Sequence, residues 1–148
     1  MIFISHRGNL NGSNPILENK PEYVDKALYR GYDVEIDVWK KNGAWYLGHD
    51  APQYRINQDF FLKNKLWCHA KNLEALEGLL ILGVHCFWHQ EDDYTITSRG
   101  VIWAYPGKEL NKNAICVLPE SLGVTKSVSD CRGICSDYIE NYREKNEF

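Results

Sequence analysis

The chain has 148 residues, with 17 Lys plus Arg against 20 Asp plus Glu and a formal charge of −3 at neutral pH. That length predicts a single domain over residues 1–148, and an isoelectric point near 5.9 excludes the basic footprint of a nucleic-acid binder. Apolar residues at 44% exclude a disordered chain, and no apolar run reaches the roughly 18 residues of a membrane span.

Residues 1–5 are a compact β-branched and aromatic run that reads as a buried strand. No basic segment followed by a long apolar run precedes it, so no signal peptide is expected. Five cysteines, an odd number, then predict reduced thiols and a cytoplasmic protein rather than a disulfide framework. Pro21 opens a helix that carries Glu22 and Asp25 near its first turn and stops before Gly31. Its apolar positions, Val24, Ala27 and Leu28, have helical spacing. Strands are predicted at 33–39 and 44–48, a weak helical turn at 59–64 and a strand at 66–70. Asn72 caps a second helix over 73–82, which ends at Gly83. Further strands fall at 84–88, 101–104, 114–118 and 133–136, while 94–97 reads as a ninth strand or one arm of a ribbon. The polar segment 140–148 reads as a fraying tail. Alternation of strand and helix in the first half predicts parallel βαβ units, and the second half reads as strands joined by loops.

Chemistry concentrates where these strands end. His6-Arg7 follows the first, Glu35-Ile36-Asp37 lies near the end of the second, His49-Asp50 follows the third and His69-Ala70-Lys71 ends the next. Parallel strands place their C-terminal ends on one rim, so these distant clusters are expected to converge. Residues i and i+2 of a strand share a face, so Glu35 and Asp37 project together as hard oxygen ligands for Mg²⁺ or Ca²⁺. A Glu-x-Asp pair on a surface strand is only solvated charge, but Val34, Ile36 and Val38 mark this strand as buried. His6 and His49 supply an acid–base pair, and Arg7 supplies a bidentate fork for phosphate. Glu120 ends another strand and either reaches the rim or lies in an exposed turn. Trp103 and Tyr105 either line a substrate pocket or pack the rim. His85, Cys86 and His89 lack paired Cys knuckles and read as packing residues rather than a zinc site.

At these residues the chain resembles the glycerophosphodiester phosphodiesterase family, within the phosphatidylinositol-phospholipase-C-like phosphodiesterase barrels. His6-Arg7-Gly8 is similar to the family's opening motif. Glu18-Asn19-Lys20-Pro21 is similar to its Pro-Glu-Asn-Thr segment, with Leu17 and Lys20 as departures. Gly31 to Val38 resembles the metal-ligand strand, and Asn42-Gly43 with Gly48-His49-Asp50 resembles the next step. Leu66 to Lys71 is similar to a strand ending in Glu-x-Lys, but His69 stands where the family has Glu. Ile102 to Gly107 and Gly133 to Tyr138 resemble the family's Trp strand and last strand.

The resemblance implies a metal-dependent phosphodiesterase acting on a small, soluble glycerophosphodiester or polyol-linked phosphodiester. A neighbouring hydroxyl of the substrate would attack phosphorus to give a cyclic phosphate, which water then opens. His6 and His49 would move protons, Arg7 and Lys71 would hold phosphate, and Glu35, Asp37 and His69 would bind the metal. Two alternatives stand beside it: a lyase that stops at the cyclic phosphate, and a binding module without turnover. The implied fold is a reduced TIM-like (β/α) barrel. Eight strands leave about 18 residues per unit where a full barrel uses roughly 31, too few for eight helices. Strand faces left bare by missing helices predict a homodimer.

Overall fold

The computed structural model describes residues 1–122 and 128–146. Among them the elements in chain order are β1 (Ile2–His6), α1 (Pro21–Tyr29), β2 (Asp33–Lys41), β3 (Ala44–Leu47), β4 (Tyr54–Ile56), β5 (Leu66–Ala70) and α2 (Leu73–Ile81). After these come β6 (Cys86–Phe87), β7 (Tyr94–Ile96), β8 (Ile102–Ala104), β9 (Ala114–Val117), β10 (Gly133–Ser136) and α3 (Ile139–Asn146).

β2 organises the sheet. Its odd and even positions face opposite ways. Val34, Ile36 and Val38 are fully buried in the outer core with Val24 and Ala27 of α1 and Ala75 and Leu79 of α2. Burying each such side chain contributes about 1.5–3 kcal/mol. Asp33, Glu35 and Asp37 therefore face the concave side. β5 repeats the pattern, with Cys68 and Ala70 in the outer core and Trp67 and His69 on the concave side. The concave side is filled lower down by Ile4, Trp67, Phe87, Trp103, Ile115 and Val117. Trp103 bridges it, its ring 4.5 Å from Phe87 and 5.9 Å from Trp67.

The order of the parallel strands is β6-β5-β2-β1-β10-β9-β8, so the first and last long strands are neighbours. β3 adds antiparallel to the far end of β2 and β4 antiparallel to β3, while β7 adds antiparallel to β8, which makes 94–97 a ribbon arm.

This corrects the expected (β/α) barrel. The chain forms a mixed ten-stranded sheet curled into a half-barrel, with three short helices among the described residues. Two causes are visible. β6 has two residues and pairs only with β5, so the sheet does not close onto β8. The connection from β8 to β9 is a loop, and among the described residues only the β1–β2 and β5–β6 crossovers carry α-helices. The weak turn expected at 59–64 is a 3₁₀ turn over Gln58–Leu62. The expected fraying tail is also corrected as far as Asn146. α3 buries Ile139 completely, and Glu140 contacts both Arg30 and Asn11. Residues 147 and 148 of that predicted tail lie outside the described residues.

Candidate functional site

The C-terminal ends of the parallel strands open into a cleft of about 370 Å³, within the range of small-ligand pockets. His6, Arg7, Glu35, His49, His69, Lys71, Trp103 and Tyr105 line it. The rim expected from the strand ends is thus assembled although the barrel is not closed.

The turn after β1 sets the first part. Arg7 has φ 56° and Gly8 φ 93°, so the chain reverses sharply after His6. Left-handed backbone at a residue with a long side chain is the kind of strain that accumulates at functional sites. The reversal brings Arg7 back over β2, where its Nε lies 2.9 Å from Asp37 Oδ2 and its Nη1 donates to Glu18 Oε2 at 3.2 Å. Asn19, at φ 62°, completes this arrangement. Its Nδ2 donates to Asp37 Oδ2 and its Oδ1 accepts from the Asp37 N–H, both at 2.9 Å.

His6 is buried against the last strand. Its Nδ1 lies 2.7 Å from Asp137 Oδ1, and its Nε2 is 3.9 Å from Glu35 Oε2. A carboxylate only accepts, so Nδ1 carries the proton and Nε2 faces the cleft. Burial pulls the His6 pKa down, but Asp137 and Glu35 outweigh it and raise it. Asp137 is itself fixed by Asn9 Nδ2 at 2.8 Å and by its own N–H, which donates to Glu120 Oε1 at 2.9 Å. Glu120 also accepts from Ser136 Oγ, so it braces the turn that holds Asp137. His49 stands on the opposite, more open side, its Nδ1 2.8 Å from Asp50 Oδ1.

Glu35, Asp37 and His69 lie on neighbouring strands, with His69 directly across from Asp37. One donor atom from each lies within 4.8 Å of the others. Ligands about 2.0–2.5 Å from a shared ion are separated by no more than this. Glu35 Oε2 and Asp37 Oδ1 are buried and have no hydrogen-bond partner among the described residues. Carboxylate oxygens at such depth are costly unless positive charge meets them, and for Asp37 Oδ1 the neighbouring His69 and Lys71 supply part of that charge. His69 Nδ1 lies 3.3 Å from Asp37 Oδ1 and 3.7 Å from Glu35 Oε1. Lys71 Nζ stands 3.6 Å from Asp37 Oδ1, beyond a hydrogen bond. Burial pushes the Asp37 carboxyl up, but His69, Arg7 and Lys71 hold it well below the usual carboxylate range. Burial likewise pulls His69 down, while Asp37 and Glu35 push it up to about 9. These residues fit a divalent cation.

Trp103 presents the edge of a largely buried ring to the cleft, and Tyr105 is half exposed beside His89, their rings 5.5 Å apart. His85 is remote from this chemistry. It is buried at 2.8 Å from Thr97 Oγ1 and packs on Trp67, as a packing residue should.

Sequence reasoning missed Asp137, Asn19 and Asn9 as site residues. Asp137 follows directly on β10, so the strand-end logic applied to the first four clusters reaches it too. Asn19 and Asn9 lie in the loop after β1 and carry no comparable spacing signal.

No protein-family model, curated protein or solved structure matches the chain. Among the described residues, no helix is long and apolar enough to cross a membrane.

Proposed function

We propose that this chain is a metal-dependent phosphodiesterase acting on small glycerophosphodiester-like substrates, as its resemblance to that family implies. One observation carries the reading. His6, His49, Arg7 and Lys71 line a single cleft of small-ligand size together with Glu35 and His69, and buried Asp37 lies against these two to complete a three-donor cluster.

Arg7 and Lys71 hold the phosphate with charge-assisted hydrogen bonds. Glu35, Asp37 and His69 would hold a divalent cation, which when bound would supply charge neutralisation to the phosphate. The substrate hydroxyl forms its bond to phosphorus as the bond to the leaving alcohol breaks, which gives a cyclic phosphate. One histidine takes the proton of the attacking hydroxyl and the other returns a proton to the leaving oxygen. The raised pKa of His6, held by Asp137 with Nε2 facing the cleft, suits it to the acid role in this step, and His49 to the base role. Water then opens the ring with the roles exchanged.

Phosphorus NMR of a panel of glycerophosphodiesters tests this. The expected result is metal-dependent conversion to a monoester, lost in both His6→Ala and His49→Ala. A cyclic phosphate as final product would make the enzyme a lyase. Bound phosphodiester with no turnover under any divalent ion would leave only a binding module.

A further inference from the structure

The acidic cluster was expected to take Mg²⁺ or Ca²⁺, because two carboxylates are hard oxygen donors. Its third member changes that expectation. His69 Nε2 lies 2.9 Å from the backbone carbonyl of His89. A carbonyl only accepts, so Nε2 keeps its N–H, and Nδ1 is the nitrogen that would give up its proton to a metal. Nδ1 is the atom turned toward Asp37 Oδ1 and Glu35 Oε1. The ring is further fixed by stacking on Phe87, with centroids 5.0 Å apart and planes 12° from parallel. It has little freedom to withdraw from the cluster. A histidine whose second nitrogen donates to a carbonyl is the usual way a protein orients a metal-binding imidazole.

The two orphaned oxygens define the remainder of the set. Asp37 Oδ2 is occupied by Arg7 and Asn19, which leaves Oδ1 as its one outward donor. Glu35 Oε2 is similarly unpartnered and buried. The set is therefore one imidazole nitrogen, one oxygen of Asp37 and the carboxylate of Glu35, whose Oε1 is the oxygen nearer His69.

Ca²⁺ takes six to eight oxygens and Mg²⁺ a near-ideal octahedron of oxygens, so neither gains from a nitrogen. Imidazole with carboxylate suits the first-row transition ions. We propose that this centre is a transition-metal site, for an ion of the Mn²⁺, Fe²⁺ or Zn²⁺ class, and that His69, oriented by the His89 carbonyl, excludes Mg²⁺ and Ca²⁺. This rests on the metal centre of the function proposed above and specifies its ion.

Calorimetric titration of the full chain with Mn²⁺, Mg²⁺ and Ca²⁺, together with pulsed electron paramagnetic resonance of the Mn²⁺ form, tests it without any substrate. Mn²⁺ should bind at least roughly tenfold more tightly than Mg²⁺ or Ca²⁺, and its spectrum should show modulation from a coupled ¹⁴N. His69→Glu should abolish that modulation and narrow or reverse the preference. The wild-type measurements stand alone if this variant does not fold. Absence of the nitrogen modulation, or equal binding of Mg²⁺ and Mn²⁺, overturns the proposal. Nitrogen-ligated Mn²⁺ without phosphodiester cleavage would support it while removing the phosphodiesterase reading. Cleavage supported equally by Mg²⁺, with no nitrogen signal, would do the reverse.

Discussion

Replacing Asn19 by Ala should destabilise the fold strongly for a loop substitution. Asn19 is almost fully buried, and both ends of its amide are engaged by Asp37. Removing the donor to the buried carboxylate costs about 1.5–3 kcal/mol, and stranding the buried Asp37 N–H costs about 1–3 kcal/mol more. Alanine at φ 62° adds about 1 kcal/mol of backbone strain. Together this amounts to roughly 3.5–7 kcal/mol, a fall of about 10 °C or more in melting temperature for a domain of this size. Asn19→Gly tolerates the backbone and should lie between Ala and wild type. Differential scanning calorimetry of the three proteins, without added metal, reads the effect. Asn19→Ala melting within about 3 °C of wild type would show that the clamp on Asp37 does not stabilise the fold.

Asp137→Asn should keep the fold but lower kcat about 10²-fold or more, because an amide no longer selects the Nδ1–H form of His6; a change in KM alone would contradict this. Trp103→Ala should cost about 3–5 kcal/mol in urea denaturation, since the ring fills the concave side between Phe87 and Trp67. The metal-free protein should lose stability as pH rises from 6.5 to about 9. His69 has its folded pKa raised to about 9, so the stability it contributes is complete below its ordinary value of 6.5 and is lost through this window. The integrated loss is about 3 kcal/mol, and a melting temperature that is flat or rising across this range would contradict it. Asp37 acts in the opposite direction, its contribution being lost only as strongly acid pH is approached.

The clusters at the strand ends were legible because each is short, polar and set against an apolar strand of period two. His6, Glu35, Asp37 and His69 could be placed on one rim from that pattern alone. Closure of the sheet was not legible. It depends on β6 being two residues long and on the β8–β9 connection remaining a loop, and local apolar runs do not report either. α3 was missed because its sequence, Ile-Glu-Asn-Tyr-Arg-Glu-Lys-Asn, is polar nearly throughout, and it docks through Ile139 and contacts at Glu140. Glu120 shows a related limit. It does not end a strand but lies in a 3₁₀ turn over Pro119–Leu122 beyond β9, and it braces Asp137, which follows β10 and donates its N–H to it.

The most direct measurement is anomalous diffraction from crystals grown with Mn²⁺ and inorganic phosphate. One strong peak is expected within coordinating distance of Glu35, Asp37 and His69, with phosphate held between that ion and Arg7 and Lys71. Phosphate in the cleft with no ion beside it, and His69 Nδ1 simply hydrogen-bonded to Asp37, would contradict it.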